Sequence, residues 1–459
     1  MSQQFRTTPE ETDKMPSGIP FIVGNEAAER FSYYGMTGIL TTFMMNHLVT
    51  ASGQPDHMSE EQATAWVHTF KAANYAFPIV GAIVADMLTG KYLMIVSLSI
   101  VYCLGHAILA LMDAPIGIEP RMLLVSGLGF IALGAGGIKS CVSAHVGDQF
   151  GQGNKHLIER VYSWFYFSIN LGAGMSQILC PVLLRKFGPG VAFGVPGILM
   201  VLATIVFWLG RYRYAHIPAS PKRFLASLDG EGIFAIARLS PIFLFIAVFW
   251  ALFDQSATRW VAQAQSMNRF VFGYEIDAAQ VQSANAFFVL MLIPIFTFGI
   301  YPLINKVVPL TPLRKIGIGL FTMIPVFMIS GIIEERIAAG GSPHILWQVL
   351  AYVILTSAEI MISITALEFS YTQAPPAMKS IMLGINMLSV TLGNVFVASI
   401  NHLIDARKRA GNPFLDGPSY YWFFATCMGA AATAFVPWAM SYRGRTYLQS
   451  EGDAEAEEE

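Results

Sequence analysis

Charge is what this chain has least of. Lys, Arg, Asp and Glu make up 13% of its 459 residues, about half the share of an ordinary soluble domain. The 28 basic and 30 acidic side chains cannot cover the surface of a soluble body this long. That excludes a soluble globular protein, a disordered chain and a nucleic-acid binder with a basic face. The net charge of −2 says nothing about partners. Cysteine is scarce too: Cys103, Cys141, Cys180 and Cys427 all fall in apolar stretches without metal spacing, and read as buried, inert thiols. A basic-then-apolar leader is missing. The first 17 residues are polar (MSQQFRTTPEETDKMPS), so no cleaved signal peptide is expected. HExxH, GxSxG and paired metal ligands are absent, and GAGGIK at 134–139 has the wrong spacing and flanks for a phosphate loop. An enzyme is therefore not expected.

What the chain has is long apolar runs, with 54% of residues hydrophobic. A membrane helix needs about 20 such residues. Twelve segments qualify, approximately 19–48, 64–88, 92–112, 121–146, 160–185, 190–211, 240–266, 279–305, 311–334, 345–372, 378–404 and 419–442. None shows the alternation of barrel strands. Pro78, Pro294 and Pro325 lie inside spans, where neighbouring helices can satisfy the freed carbonyls. The expected fold is an all-α membrane protein of twelve helices in two six-helix bundles, the major facilitator arrangement. Its parts are a tail at 1–18, an N-terminal bundle at 19–211, a linker at 212–239, a C-terminal bundle at 240–443 and an acidic tail at 444–459. With both termini cytoplasmic, inner segments hold 16 Lys/Arg and outer loops 8, as the positive-inside rule favours.

Four basic residues remain inside the spans: Arg30, Lys71, Lys139 and Arg259. Left unpaired they would cost on the order of 10 kcal/mol, at roughly 2.5–3.5 each. They must be paired or face a wet cavity. Span 1 reads NEAAERFSYYG, placing Glu26, Glu29, Arg30, Tyr33 and Tyr34 along one stripe. One arginine cannot fully neutralise two carboxylates, so the Glu26/Glu29 pair is a candidate proton carrier. The competing reading is a static ion pair that orients the helix. Span 2 repeats the pattern with His68, Lys71 and Tyr75. Imidazole switches near neutral pH, which sets proton handling by His68 against simple packing. Span 4 carries Lys139 among glycines that permit close helix approach. Span 7 offers Asp254, Gln255, Arg259 and Trp260, and span 10 offers Glu359 with Ser363 on the same face. Asn170 and Asn285 are either ligands or interhelical glue, and Glu368 is either functional or an end-of-helix anchor.

These residues carry a resemblance. The chain resembles the proton-dependent oligopeptide transporters (the POT or PTR family) of the major facilitator superfamily over nearly its whole length. The motif Glu26–x–x–Glu29–Arg30 is followed by Phe31, Tyr33, Tyr34 and Gly35. Phe165, Tyr166, Ile169, Asn170 and Gly172 match the span 5 signature. Gly147, Asp148, Gln149 and Phe150 form the run after span 4, and FWALFDQ occupies 249–255. HTF at 68–70 and LEFSYTQAP at 367–375, followed by Met378, Lys379 and Ser380, look closer to the animal branch. The short central linker leaves no room for the two extra helices of many bacterial members, nor the loop after span 9 for the animal members' external domain. Thr37, Ser140, Asn386 and Met387 depart from the family pattern, which puts pocket shape and side-chain preference in doubt.

The resemblance implies a symporter that imports di- and tripeptides by alternating access across the cell (plasma) membrane, with both ends of the zwitterion held by charge. It implies that Arg30 and Lys139 attract the peptide carboxylate with help from Tyr34. Glu359 would hold the ammonium, aided by Asn170 and Asn285, with Ser363 beside it. Trp260, Tyr33 and Tyr166 would line side-chain pockets. Glu26, Glu29 and His68 would handle the coupling proton, and Asp254 and Arg259 would gate. No cofactor or metal is expected beyond the coupling proton. The expected partners are peptides, protons and the lipid bilayer, with no nucleic acid, and the chain is expected to be monomeric. The rival readings are a transporter of the same fold for nitrate, a drug or another metabolite, and a proton antiporter exporting drugs.

Overall fold

Backbone amides have no water to bond inside a bilayer, so apolar runs of this length close their hydrogen bonds as helices. The structure, a computed structural model, describes residues 5–222, 230–373 and 379–442. Part of the linker (223–229), residues 374–378 of the LEFSYTQAP–Met378 stretch and the acidic tail lie outside the described residues.

Among the described residues, eleven helical segments are long and apolar enough to cross a membrane. They are span 2 (Glu60–Thr89), span 3 (Lys91–Ala110), span 4 (Pro120–Gly147), span 5 (Arg160–Phe187), span 6 (Pro189–Tyr212), span 7 (Ile236–Gln265), span 8 (Ala278–Asn305), span 9 (Pro312–Ala338), span 10 (Leu346–Ser370), span 11 (Gly384–Arg409) and span 12 (Pro418–Ser441). Span 1, Ile19–Asn46, is the twelfth; at 28 residues it is long enough, but Glu26, Glu29 and Arg30 make it too polar. The helix of span 7 starts at Gly230, earlier than the 240 read from hydropathy. A hairpin of Phe270–Val271 with Tyr274–Glu275 joins spans 7 and 8. Its turn takes positive φ at Phe272 (50°) and Gly273 (86°), the arrangement a two-residue hairpin prefers.

Buried apolar residues separate into two large cores, one drawn from Ile19 to Tyr214 and the other from Leu239 to Phe435. Each is the interior of one bundle. The bundles meet along spans 2 and 11, along spans 5 and 8, and where span 1 faces the broken part of span 7. Glycines set the close approaches. A Cβ on Gly81 of span 2 would collide with the Gly137 backbone of span 4, and one on Gly172 of span 5 would lie 2.7 Å from the Ala27 carbonyl of span 1.

Two irregularities position chemistry. Span 7 is interrupted: its α-helix ends at Phe253, Asp254–Ala257 forms a 3₁₀ turn and the helix resumes at Arg259. No proline marks this break. Span 10 passes from α-helix to a π-turn at Ile360–Ile364, directly after Glu359. Such turns occur often at functional sites.

Candidate functional site

The span 1 stripe folds as its spacing dictates. Arg30 Nε donates to Glu26 Oε1 at 2.7 Å, one helical turn away, and lies 2.8 Å from Glu29 Oε2. The two carboxylates are buried but unequal. Glu26 holds the hydrogen bond, whereas neither oxygen of Glu29 has a hydrogen-bond partner among the described residues. Glu29 is therefore the less satisfied of the pair.

Lys139 makes no ion pair with Glu26 or Glu29. Its ammonium sits 4.3 Å from the Tyr33 ring centroid and 4.0 Å from that of Tyr75, without a hydrogen-bond acceptor among the described residues. Two cation–π contacts, each about 0.5–2 kcal/mol, hold a charge whose donors remain free. The Tyr33 hydroxyl accepts from Asn74 at 3.0 Å.

On the C-terminal bundle, Glu359 Oε2 accepts from Asn285 at 2.7 Å, and Asn285 also donates to Thr356 at 3.1 Å. Glu359 lies within Coulombic reach of Tyr34 and Tyr166 on the opposite bundle. Tyr166 is over a third exposed, while Trp260 is buried against Tyr352, with ring centroids 4.7 Å apart. The Asn170 amide donates to its own helix, at the Tyr166 carbonyl (3.0 Å). The Ser363 hydroxyl likewise donates to the Glu359 carbonyl (2.8 Å). Asn285 thus joins Glu359 directly and Asn170 does not.

The candidate gating residues do not pair with each other. Asp254 Oδ1 takes Lys71 Nζ at 2.7 Å, and Arg259 reaches Glu60 at 2.8 Å and Asn401 at 2.6 Å. Asn394 ties this cluster to His68. Its amide nitrogen donates to Asp254 Oδ2 at 2.7 Å, which leaves its oxygen facing His68 Nδ1, also at 2.7 Å. That fixes the proton of a neutral imidazole on Nδ1. His68 Nε2 then accepts from the Thr258 hydroxyl at 3.1 Å. The Gln255 carbonyl lies 3.4 Å from the same hydroxyl. A second proton on Nε2 has somewhere to go: the hydroxyl turns to Gln255 and accepts from the imidazolium.

The cluster belongs to a seal. Among the described residues, the hydrogen bonds and ion pairs that join the two bundles all lie in the half bearing the loop between spans 1 and 2. They include Thr41 to the Ala257 carbonyl (2.7 Å), Gln282 to the Gly38 carbonyl (3.0 Å), Lys408 to Glu61 (3.1 Å) and Arg185 to Asp277 (2.9 Å).

Three cations of the spans are thus paired, and the fourth rests on aromatic rings. Sequence reading missed Glu60, Asn74, Thr258, Asn394 and Asn401. The signal for the last two was available: two amides seven residues apart on one face of an apolar span. Thr258 could not be foreseen, because its position depends on the break in span 7. Of the departures from the family pattern, Thr37 bonds the Tyr33 carbonyl (2.9 Å) and Ser140 the Pro78 carbonyl (2.9 Å). The buried Asn386 oxygen has no partner among the described residues.

Comparison with known proteins agrees with this architecture. A family model described as the POT family matches residues 92–230 and 225–423. Solute carrier family 15 member 2 of Danio rerio is 37% identical over 374 residues, covering 70% of this chain and 51% of that protein. Peptide transporter family 1 of Drosophila melanogaster is 34% identical over 363 residues, 70% of this chain and 48% of the relative. The chain therefore spans about half the length of the curated relatives it matches. Among solved structures, the POT family transporter PepTSo superposes with a TM-score of 0.84 at 34% identity, over 94% of this chain and 99% of that one. With sequence and fold in agreement over most of its length, this chain belongs to the POT family, a family of integral membrane transporters rather than enzymes.

Proposed function

We propose that the protein is a proton-coupled symporter that imports di- and tripeptides by alternating access between its two bundles. One observation carries the reading: one bundle holds two cations, one of them without an acceptor among the described residues, and the other bundle holds a carboxylate on span 10. Lys139 and the terminal nitrogens of Arg30 offer donors to a carboxylate, and Glu359 with Asn285 offers a place for an ammonium. A peptide has constant charged ends and varied side chains, so a site that holds the ends can accept many sequences. The relatives that bear peptide transport in their names support the substrate class.

With the termini cytoplasmic, as the basic residues favour, the sealed end is the external one. Opening it requires separating Lys71 from Asp254 and Arg259 from Glu60. A proton on His68 places a second cation one turn from Lys71 and forces the Thr258 hydroxyl to turn. Both changes weaken the seal. Glu29, short of hydrogen bonds beside Arg30, is the second proton acceptor. Release of the proton inside restores the seal, and the bundles rock back.

The test is uptake of labelled dialanine into proteoliposomes under an imposed inward pH gradient. Uptake that collapses with the gradient and yields to unlabelled dipeptides is the expected result. Uptake without peptide competition removes the substrate assignment, and accumulation against the opposite gradient would mark an exporter. Glu359→Gln should lose peptide affinity; uptake at unchanged affinity would remove its amine role.

A further inference from the structure

A groove of about 990 Å³ runs between spans 9 and 12, at the end of the molecule opposite the seal. That volume is at the upper end of the range for specific small-molecule sites. The groove follows span 9 from Arg314 to Thr322, about 12 Å at the rise of an α-helix. Ile318 and Phe321 of span 9 and Val436 and Met440 of span 12 line it, each at least 37% exposed. Gly317 contributes no side chain to fill it. The exposed apolar walls mean that the groove opens sideways into the bilayer.

Its rim is basic. Arg314 lines the groove in the first turn of span 9, where that helix leaves the hydrocarbon. It is exposed, and among the described residues it makes no ion pair. Its Nη1 donates to the Pro309 carbonyl at 2.6 Å. The guanidinium is thus tethered to the loop while its other nitrogens remain available. Thr311, also on the rim, accepts from the Arg314 amide at 3.4 Å and keeps its hydroxyl proton to donate. Residues 305–315 carry Lys306, Arg314 and Lys315 and no acid. Lys315 turns to the Tyr301 ring, 4.8 Å from its centroid, and Tyr301 lies within Coulombic reach of Glu368. Arg314 is left as the cation that lines the groove.

An occupant that fits must be apolar over most of its length and anionic at one end. We propose that the groove binds an anionic phospholipid, with its phosphate on Arg314 and Thr311 and an acyl chain lying along spans 9 and 12. The planar arginine fork matches a phosphate. A zwitterionic headgroup would bring its own cation to a loop with three bases and no acid to receive it, which disfavours it. With the termini cytoplasmic, this end meets the leaflet surface that anionic lipids make negative. The groove lies within one bundle, so the site stands apart from the peptide site and from the alternating-access reading.

The probes are phosphatidylglycerol and phosphatidylcholine, each with one palmitoyl and one oleoyl chain. They are titrated onto the full chain in detergent, and bound lipid is counted by native mass spectrometry. The first phosphatidylglycerol should bind about tenfold or more tightly than the first phosphatidylcholine, as a charged hydrogen-bond partner provides. Arg314→Gln should bring the two lipids to near-equal affinity. Val436→Trp, which fills the groove without touching a charge, should weaken phosphatidylglycerol severalfold. Both side chains are exposed, and a melting temperature unchanged in lipid-free detergent shows that each variant folds. Equal affinity of the two lipids for the parent protein overturns the anionic assignment. A preference that survives Arg314→Gln, or phosphatidylglycerol binding indifferent to Val436→Trp, places the lipid elsewhere and overturns the site.

Discussion

Cutting the Lys71–Asp254 pair should open the seal by a calculable amount. The two side chains are each 10% exposed and 2.7 Å apart, on opposite bundles. Removing one partner of a buried pair strands the other at a cost of about 3–5 kcal/mol. Here the stranded charge can reach water by separating the bundles, so the cost falls on the sealed state rather than on the fold. At roughly 1.4 kcal/mol per tenfold, the open population should rise by between about two and about four powers of ten. Thr41, 1% exposed and bonded across the seal to the Ala257 carbonyl, is the place to read it. A cysteine introduced there should react with a maleimide at a rate proportional to the open fraction, measured by intact mass against the same protein without that cysteine. Lys71→Met and Asp254→Asn should each accelerate labelling by at least about a hundredfold. The double variant, in which both charges leave together, should return to within about tenfold of the parent. Single variants that label at the parental rate, or a double variant as fast as the singles, would refute the assignment of this pair to the seal.

Replacing His68 by Gln should abolish gradient-driven peptide uptake while leaving exchange of internal for external peptide intact; equal loss of both would make the histidine structural. Gly81→Ala should cost about 1–3 kcal/mol by overpacking spans 2 and 4, seen as a lower melting temperature in detergent, and an unchanged melt would mean the helices part without penalty. Outside the membrane, Phe5 stacks on His216 with ring centroids 4.4 Å apart, and the Arg6 carbonyl accepts from the His216 amide at 2.7 Å. Burial holds the His216 imidazole below its ordinary value of 6.5. A proton therefore favours the detached segment, so the contact is at full strength above that value and weakens as pH falls below it. Hydrogen exchange of residues 5–16, corrected for intrinsic rate, should speed up between about pH 7.5 and pH 5.5, whereas a pH-independent ratio would contradict the sign.

The spans were legible because a bilayer demands long apolar helices, and little else in a sequence looks like twelve of them. The Glu26–Arg30 contact was legible for an equally local reason, since residues four apart on a helix must meet. Partners across the interface were not. Lys71 finds Asp254 from 183 positions away, and periodicity within one helix carries no information about which neighbour it will face. Lys139 shows the limit most clearly. Charge bookkeeping asks for a partner or a wet cavity, and the fold supplies two tyrosine rings. Nor could spacing locate the break in span 7, because the non-helical Thr258 backbone (φ −128°, ψ −88°) has no proline or glycine to announce it.

Span 1 has a consequence for how the protein is made. A helix bearing three charges within five residues costs roughly 2.5–3.5 kcal/mol for each at mid-bilayer, so it is a poor candidate to settle in lipid alone when it leaves the ribosome ahead of spans 2 to 6. Its berth is built later in synthesis. Gly172 of span 5 lets the helix backbones touch, and Asn25 donates to the Ala203 carbonyl of span 6 at 2.8 Å. Span 1 is thus translated ahead of the partners that secure it, and the insertion machinery must shelter it until spans 2 to 6 have emerged.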